Sequence, residues 1–151
     1  MPDETFVRSV VLPVSAAEAF AWHERPEAFD LLTPPWQRVR SQAPTDGLRD
    51  ASVRVIHLLA GPFRLAWVAE HYGYASGREF NDRQLRGPFA KWEHRHSFSD
   101  LEDGTCVLTD TVRYRLRFGA AGRVVAGAWV RGQLERLFVH RHAVTREALS
   151  R

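Results

Sequence analysis

The spacing of hydrophobic and polar residues along the chain predicts one strand followed by two short helices. Residues 5–12 alternate between two faces and are rich in β-branched side chains, which is typical of a strand. The segment from Ser15 to Glu18 has the pattern of a capping box, so a helix is expected to begin there. Pro26 suits the first turn of a second short helix, which Pro34 and Pro35 end.

The middle of the chain changes to short alternating runs that are separated by turn signals such as Asp46-Gly47 and Gly87-Pro88. This spacing predicts six further strands, joined mostly by tight hairpins into an antiparallel sheet. The predicted strands lie near residues 37–42, 51–59, 63–74, 78–85, 89–100 and 105–116. Together with residues 5–12 they would form a sheet of seven strands.

The C-terminal part of the chain predicts one long helix. Gly119 and Gly122 are expected to bracket a loop, and from Val124 onward the apolar residues fall within an arc of about 120° on a helical wheel. The helix should then continue for about 25 residues. A single helix cannot cover a seven-stranded sheet unless the sheet curls around it. The order of elements therefore predicts a curved α+β fold with a cavity between sheet and helix.

Length and composition indicate a single domain over residues 1–151. A chain of 151 residues with 44% hydrophobic residues is long enough for one core and too short for two ordinary domains. No apolar run approaches the roughly 20 residues of a membrane-spanning helix, and the acidic N-terminus does not resemble a signal peptide. We therefore expect a cytoplasmic protein without an integral membrane segment.

Charge and cysteine content exclude several other classes of function. The 21 Lys+Arg and 18 Asp+Glu leave a net charge of +3, and the C-terminal arginines spiral around the helix without forming a phosphate-binding stripe. Nucleic acid is therefore not an expected partner. The single cysteine, Cys106, excludes an intramolecular disulfide and a cysteine zinc cluster. Motifs for a nucleophilic serine or a phosphate-binding loop are also absent from the sequence.

Candidate polar chemistry is concentrated on three consecutive predicted strands. Strand alternation places Trp92, His94, His96 and Phe98 on one face, and the flanking aromatic side chains indicate that this face points inward. The adjacent strands add, from their own inward faces, Phe80, Asp82, Gln84, Asp110 and Tyr114. These residues would form a polar patch in an otherwise apolar cup, as ligand-binding pockets commonly have.

The two histidines allow two interpretations. His-x-His is a common spacing of metal ligands, and Asp82 or Asp110 could complete a metal site or an acid–base pair. Alternatively, the imidazoles hydrogen-bond to neighbouring carboxylates and backbone, as any half-buried polar cluster must. The second interpretation is the favoured one, so no metal and no cofactor is expected.

Arg141 is the most informative charge of the long helix, because it falls near the centre of the apolar arc that includes Leu134 and Phe138. A cation there needs a partner, such as Asp82, Asp110 or the acidic head of a ligand. Alternatively, the side chain extends to an end of the barrel. The aromatic residues in the first half of the chain, Trp67 among them, either line the mouth of the cavity or fill the core.

A series of short motifs along the chain resembles a known group of proteins. The series runs through Glu24-Arg25-Pro26, Leu32-Thr33-Pro34-Pro35-Trp36, Gly61-Pro62-Phe63, Trp67, Glu70-His71, Phe80, Asp82, Gln84, Gly87-Pro88-Phe89, Trp92, His94, His96 and Phe98. It resembles the START/Bet v 1-like (SRPBCC) superfamily, in particular the bacterial polyketide cyclase/dehydrase and lipid transport group and its cell-division-inhibitor-like ligand-binding domains. The resemblance implies a helix-grip fold, either alone or fused to an epimerase-like domain.

The leading functional hypothesis is a binder or carrier of a small hydrophobic or amphipathic molecule, such as a lipid, a fatty acid, an isoprenoid or an aromatic polyketide. The residues expected to line its cavity are Trp67, Phe80, Asp82, Gln84, Trp92, His94, His96, Asp110, Tyr114, Leu134, Phe138 and Arg141. Two alternatives stay open: a cyclase/aromatase-like enzyme that uses the inward histidines and aspartates, and a regulatory interaction module. A non-enzymatic role is favoured over catalysis.

Overall fold

The computed structural model describes residues 2–117 and 119–151, which form a seven-stranded antiparallel sheet and three helices. The N-terminal part contains β1 (Glu4–Leu12), α1 (Ala16–His23), α2 (Ala28–Leu32) and β2 (Val39–Ser41). The rest of the sheet is β3 (Val53–Ala60), β4 (Phe63–Ala75), β5 (Glu79–Arg86), β6 (Lys91–Asp100) and β7 (Cys106–Arg115), and the chain ends in α3 (Gly119–Leu149). This is the predicted order of elements.

The strands lie in the order β1-β7-β6-β5-β4-β3-β2, and every neighbouring pair is antiparallel. From β2 to β7 each strand pairs with the next one along the chain, while β1 pairs with β7. The first two strands therefore form the opposite edges of the sheet, and α1 and α2 connect them. The predicted α+β helix-grip fold is confirmed.

The helix boundaries follow local signals, with one exception. The Ser15 hydroxyl accepts a hydrogen bond from the backbone N–H of Glu18 at 3.2 Å, and the Ser15 N–H donates to the Glu18 carboxylate, so the predicted capping box is present. The loop predicted between Gly119 and Gly122 is wrong, because α3 already begins at Gly119. The two alanines between these glycines have the highest helix propensity and offset part of the cost of glycine.

Two clusters of buried side chains fill much of the concave side of the sheet. One lies under α1 and contains Leu12, Ala16, Ala19, Phe20, Phe80, Phe98, Cys106 and Leu108. The other lies under α3 and contains Phe6, Trp92, Val112, Tyr114, Val130, Leu134 and Phe138. Within the described residues no helix is both long and apolar enough to cross a membrane.

Candidate ligand-binding site

A cavity of about 490 Å³ lies between the sheet and the helices. Strand alternation builds its floor, because Ile56 and Leu58 of β3 and Trp67 and Ala69 of β4 point to the same side of the sheet. The volume is within the range of about 300–1,000 Å³ that is usual for small-molecule sites. The fold therefore leaves interior room beside its core.

The helices supply most of the opposite wall. On α3, Val130, Leu134 and Phe138 follow one another at intervals of four residues and face the cavity on one side of the helix. Phe29 and Leu32 extend the wall from α2. Both walls are mainly apolar, which suits an apolar guest.

The polar part of the cavity is set by the register of four strands. Asp82 on β5 lies between His71 of β4 and His94 of β6, and the three form one cross-strand row. The next row places His96 of β6 beside Asp110 of β7. Because antiparallel neighbours in register have adjacent side chains, two carboxylates and three imidazoles meet on one patch of the concave face.

Asp110 is the centre of this cluster. His94 Nε2 and His96 Nδ1 both lie 2.8 Å from its Oδ1, and His142 Nε2 of α3 lies 2.5 Å from its Oδ2. The carboxylate, His94 and His142 are buried. A buried carboxylate is costly unless several donors satisfy it, and here three rings do so from two elements of the fold.

Asp82 lies on the cavity side of the same histidines. Its Oδ2 is 3.5 Å from His94 Nδ1 and 3.5 Å from His96 Nε2, and its side chain is 18% exposed. The two imidazole rings are 3.7 Å apart between centroids, and Phe80 stacks on the His96 ring at 4.1 Å. The histidine pair thus stands between one carboxylate in the core and another at the cavity.

Burial and charge act in opposite directions on the pKa values of this cluster. Burial disfavours the charge of Asp110, but the positive charge of His96 and contacts from all three histidines hold its pKa well below the ordinary value. Burial also opposes ionisation of Asp82, whose pKa the histidines likewise lower. Burial lowers the pKa of His94, whereas the two carboxylates overcome burial at His96 and raise its pKa. Both carboxylates of the cluster, Asp82 and Asp110, are therefore ionised.

Two arginines bring positive charge to the cavity wall. Burial lowers the pKa of Arg141, and the buried Nε of this residue has no hydrogen-bond partner among the described residues. Its guanidinium lies 5.6 Å from the centre of the Phe138 ring. Arg54 of β3 lies over the Phe29 ring at 4.3 Å and also faces the cavity. Both cations are held by aromatic faces.

The structure differs from the sequence-based expectation on the partner of Arg141. Within residues 2–117 and 119–151, neither Asp82 nor Asp110 forms an ion pair with it. The three histidines contact Asp110, and His94 and His96 contact Asp82, so both carboxylates act on Arg141 only through space, where they oppose the lowering of its pKa by burial. Arg141 therefore lines the cavity without a direct carboxylate contact among the described residues.

Nine of the twelve predicted residues line the cavity: Trp67, Phe80, Asp82, Trp92, His94, His96, Leu134, Phe138 and Arg141. The other three do not, contrary to the expectation. The amide of Gln84 binds the backbone N–H and carbonyl of Phe89 and closes the turn between β5 and β6. Tyr114 is buried and donates to Glu4 at 3.1 Å, and Asp110 lies behind the histidines.

The sequence interpretation missed several residues of the site. His142 completes the shell of Asp110, and His23, His71 and Arg54 line the cavity. The signal for His142 is present in the sequence, because the inward series Val130, Leu134 and Phe138 continues to residue 142 at the same four-residue interval. A helical wheel that marks only apolar residues does not show this signal, because histidine is not counted among them.

Comparison with known proteins finds similarity among solved structures only: no family model matches the chain, and no curated protein matches it. A nucleoside-diphosphate sugar epimerase from Corynebacterium glutamicum is 28% identical, with a TM-score of 0.74. The match covers 96% of this chain and 29% of the epimerase, so the chain spans less than a third of that protein.

Two further solved structures match over nearly their whole length. The ZhuI aromatase/cyclase from Streptomyces sp. R1128 is 16% identical with a TM-score of 0.71, covering 99% of this chain and 94% of its own. A START superfamily protein from Mycobacterium smegmatis is 14% identical with a TM-score of 0.69, covering 97% of each chain. At these identities the likeness concerns the fold. The chain therefore has the helix-grip fold of START and Bet v 1-like proteins.

Proposed function

We propose that this protein binds a small, largely apolar molecule with an acidic head group in the cavity between the sheet and α3. The single observation that carries the proposal is a cavity of about 490 Å³ with apolar walls and a partly buried arginine, Arg141, whose buried Nε lacks a hydrogen-bond partner among the described residues. A fatty acid or another amphipathic acid has this combination of an apolar body and an anionic head.

The apolar walls explain the affinity for the body of the guest. Ile56, Leu58 and Trp67 on the sheet face Leu134 and Phe138 on α3 across the cavity. Removing such surface from water contributes about 25 cal/mol of favourable free energy per Å² of apolar area. This contribution depends little on the shape of the guest, so a class of related molecules is expected to bind.

The arginine explains the preference for an acid. Burial disfavours the charged form of Arg141, and an anion at the guanidinium would compensate for the lost hydration. The guanidinium lies 5.6 Å from the centre of the Phe138 ring, and this cation–π contact restricts the side chain before a guest binds. A neutral guest of equal size lacks this contact.

The test is native mass spectrometry of the purified protein with a fatty acid and with the corresponding primary alcohol. The wild type should bind one molecule and prefer the acid, whereas Arg141→Met should lose the preference by at least 10-fold. Ile56→Trp should block both guests, because the larger side chain enters the cavity. Val55→Trp is the matched control, since its neighbouring position on β3 is exposed and absent from the cavity wall.

Several outcomes would contradict the proposal. It fails if the wild type binds neither guest, or if Ile56→Trp binds as well as Val55→Trp. Equal loss of acid and alcohol in Arg141→Met would refute the role given to the arginine. A guest released with a changed mass would instead support the cyclase-like alternative.

A further inference from the structure

Three atoms that could bind a metal ion lie close together on the polar wall of the cavity. His94 Nδ1 and His96 Nε2 each lie 3.5 Å from the same oxygen of Asp82, Oδ2. All three residues line the cavity, and one ligand atom from each lies within 4.8 Å of the others. Two imidazole nitrogens and one carboxylate oxygen are a donor set that binds divalent transition metals.

Asp110 sets the orientation of both imidazole rings. A carboxylate only accepts hydrogen bonds, so the proton of the His94 ring lies on Nε2, which is 2.8 Å from Asp110 Oδ1. His96 Nδ1 lies at the same distance from the same oxygen. The nitrogens on the far side of each ring therefore face Asp82, and a metal ion there would bind both of them in their unprotonated form. A carboxylate that orients histidines in this way is a common outer shell of metal sites.

The distances indicate what should lie between these atoms. Without a metal ion, only a proton on one of the imidazole nitrogens could bridge it to the carboxylate oxygen of Asp82. A proton on one ring would form a charge-assisted hydrogen bond of about 2.7–2.9 Å, which is shorter than the observed 3.5 Å. Ligands bound to Zn²⁺ at about 2.1 Å in a tetrahedral arrangement are about 3.4 Å apart. The two separations between Asp82 Oδ2 and the histidine nitrogens are compatible with ligands of one metal ion.

We propose that His94, His96 and Asp82 form a binding site for a divalent transition metal ion such as Zn²⁺. The three ligands come from two adjacent strands, and Asp110 and His142 support them from the core. Because all three ligands line the cavity, the remaining coordination positions face its interior. An oxygen of the guest, or water, would occupy them. This site goes beyond guest binding and revises the expectation that no metal is needed.

The first measurement uses untagged wild-type protein that has been treated with a chelator and dialysed. Calorimetric titration with Zn²⁺ should give one saturable equivalent. Titration with Co²⁺ should give visible absorption bands that Zn²⁺ abolishes by displacement. No guest is added, so the result is independent of the fatty-acid experiment. Absence of saturable binding of either ion would overturn the proposal.

Conservative substitutions of the proposed ligands test whether the ion binds to His94, His96 and Asp82. Asp82→Asn should weaken Zn²⁺ binding at least 10-fold, and His96→Gln should abolish the Co²⁺ absorption. His140→Gln is the control, because His140 lies on α3 and contacts Trp36, outside the cluster. Unchanged affinity in Asp82→Asn and His96→Gln would show that the ion binds elsewhere, which contradicts the proposal.

A measurement on the wild type decides the matter even where a variant fails to fold. Nuclear magnetic resonance of ¹⁵N-labelled imidazoles reports each ring nitrogen separately. Zn²⁺ should shift the signals of His94 Nδ1 and His96 Nε2, while His94 Nε2 keeps the signal of a protonated nitrogen bound to Asp110. A His96 ring that is protonated on both nitrogens and unchanged by Zn²⁺ would refute the metal site.

Discussion

The two halves of the sheet share one alternating pattern but differ in what covers their concave face. We call β1, β6 and β7 the packed half and β2, β3 and β4 the open half. Along β7 every second residue is buried, and Leu108 is 1% exposed. Along β3 no residue is fully buried, although Ile56 and Leu58 point to the same side of the sheet. The difference therefore does not arise from the strands themselves.

The helices account for the difference. α1 contacts β6 and β7, and α3 contacts β1, so the packed half is covered directly. Over the open half, α2 and α3 contact each other and leave the cavity beneath them. Apolar surface without protein cover is available to a guest. The comparison thus separates strands whose concave face is covered by a helix from strands whose concave face borders the cavity, while Trp92, Leu134 and Phe138 belong to both the core and the cavity wall.

Alanine substitution of one leucine in each half tests this difference between the packed half and the open half. Leu108→Ala removes a side chain from a filled cluster, so we expect a loss of about 2–5 kcal/mol in the free energy of unfolding. Leu58→Ala enlarges an existing cavity and should cost less than half as much. Urea denaturation of guest-free protein measures both values. Fatty-acid affinity should show the reverse order, with Leu58→Ala the weaker binder.

Two results would contradict the division of the sheet. Equal destabilisation by the two leucine variants would show that the open half is packed in solution. Unchanged guest affinity in Leu58→Ala, with reduced affinity in Leu108→Ala, would show that the guest lies against the packed half. In either case the cavity wall described above would not be the binding surface.

The same comparison shows what could be predicted from the sequence. The alternation of residues around His94 and the capping box at Ser15 depend on neighbours in the chain, so the elements were predictable. The start of α3 was predicted too late, since Gly119 and Gly122 are loop signals that an alanine pair can outweigh. Local patterns thus determine elements more reliably than their ends.

The site was less predictable because it depends on contacts between distant elements. Strand alternation places Asp82, His94 and His96 on the inward face, as the structure has them. It does not say that Asp110 lies behind the histidines, since this depends on the strand register. His142 reaches Asp110 from a helix 32 residues away in sequence, and only the rotation of α3 decides that contact. Such facts require the assembled fold.

The second prediction concerns His23, the last residue of α1, whose ring packs against Phe98 of β6 in the packed half. The Nδ1–H of this buried residue donates to the Ala19 carbonyl at 2.7 Å, and burial lowers its pKa to about 4 from 6.5. Between pH 4 and pH 6.5, His23 is therefore protonated in the unfolded chain but neutral in the folded chain. The contribution of His23 to the free energy of unfolding is fully present above pH 6.5. It falls as the pH decreases toward 4, by on the order of 3 kcal/mol at most.

Urea denaturation of metal-free protein at several pH values between 7 and 4 measures this effect. His23→Gln keeps a donor for Ala19 but does not titrate, so its stability should decrease less steeply with acid than that of the wild type. Both proteins share every other titrating group, which makes the difference between their curves specific to residue 23. Parallel curves would show that His23 is not held neutral by burial.

The smallest expected effect compares the helices of the two halves. Ser15→Ala removes the side chain that caps α1, which packs on β6 and β7, and should cost about 1 kcal/mol of global stability. Glu27 precedes α2 without capping it through its side chain, so Glu27→Ala should change stability by less than about 0.5 kcal/mol. Urea denaturation compares both variants with the wild type. If Glu27→Ala costs as much as Ser15→Ala, α2 contributes as much to the fold as α1 does, and the open half cannot be treated as the less stabilised part of the sheet.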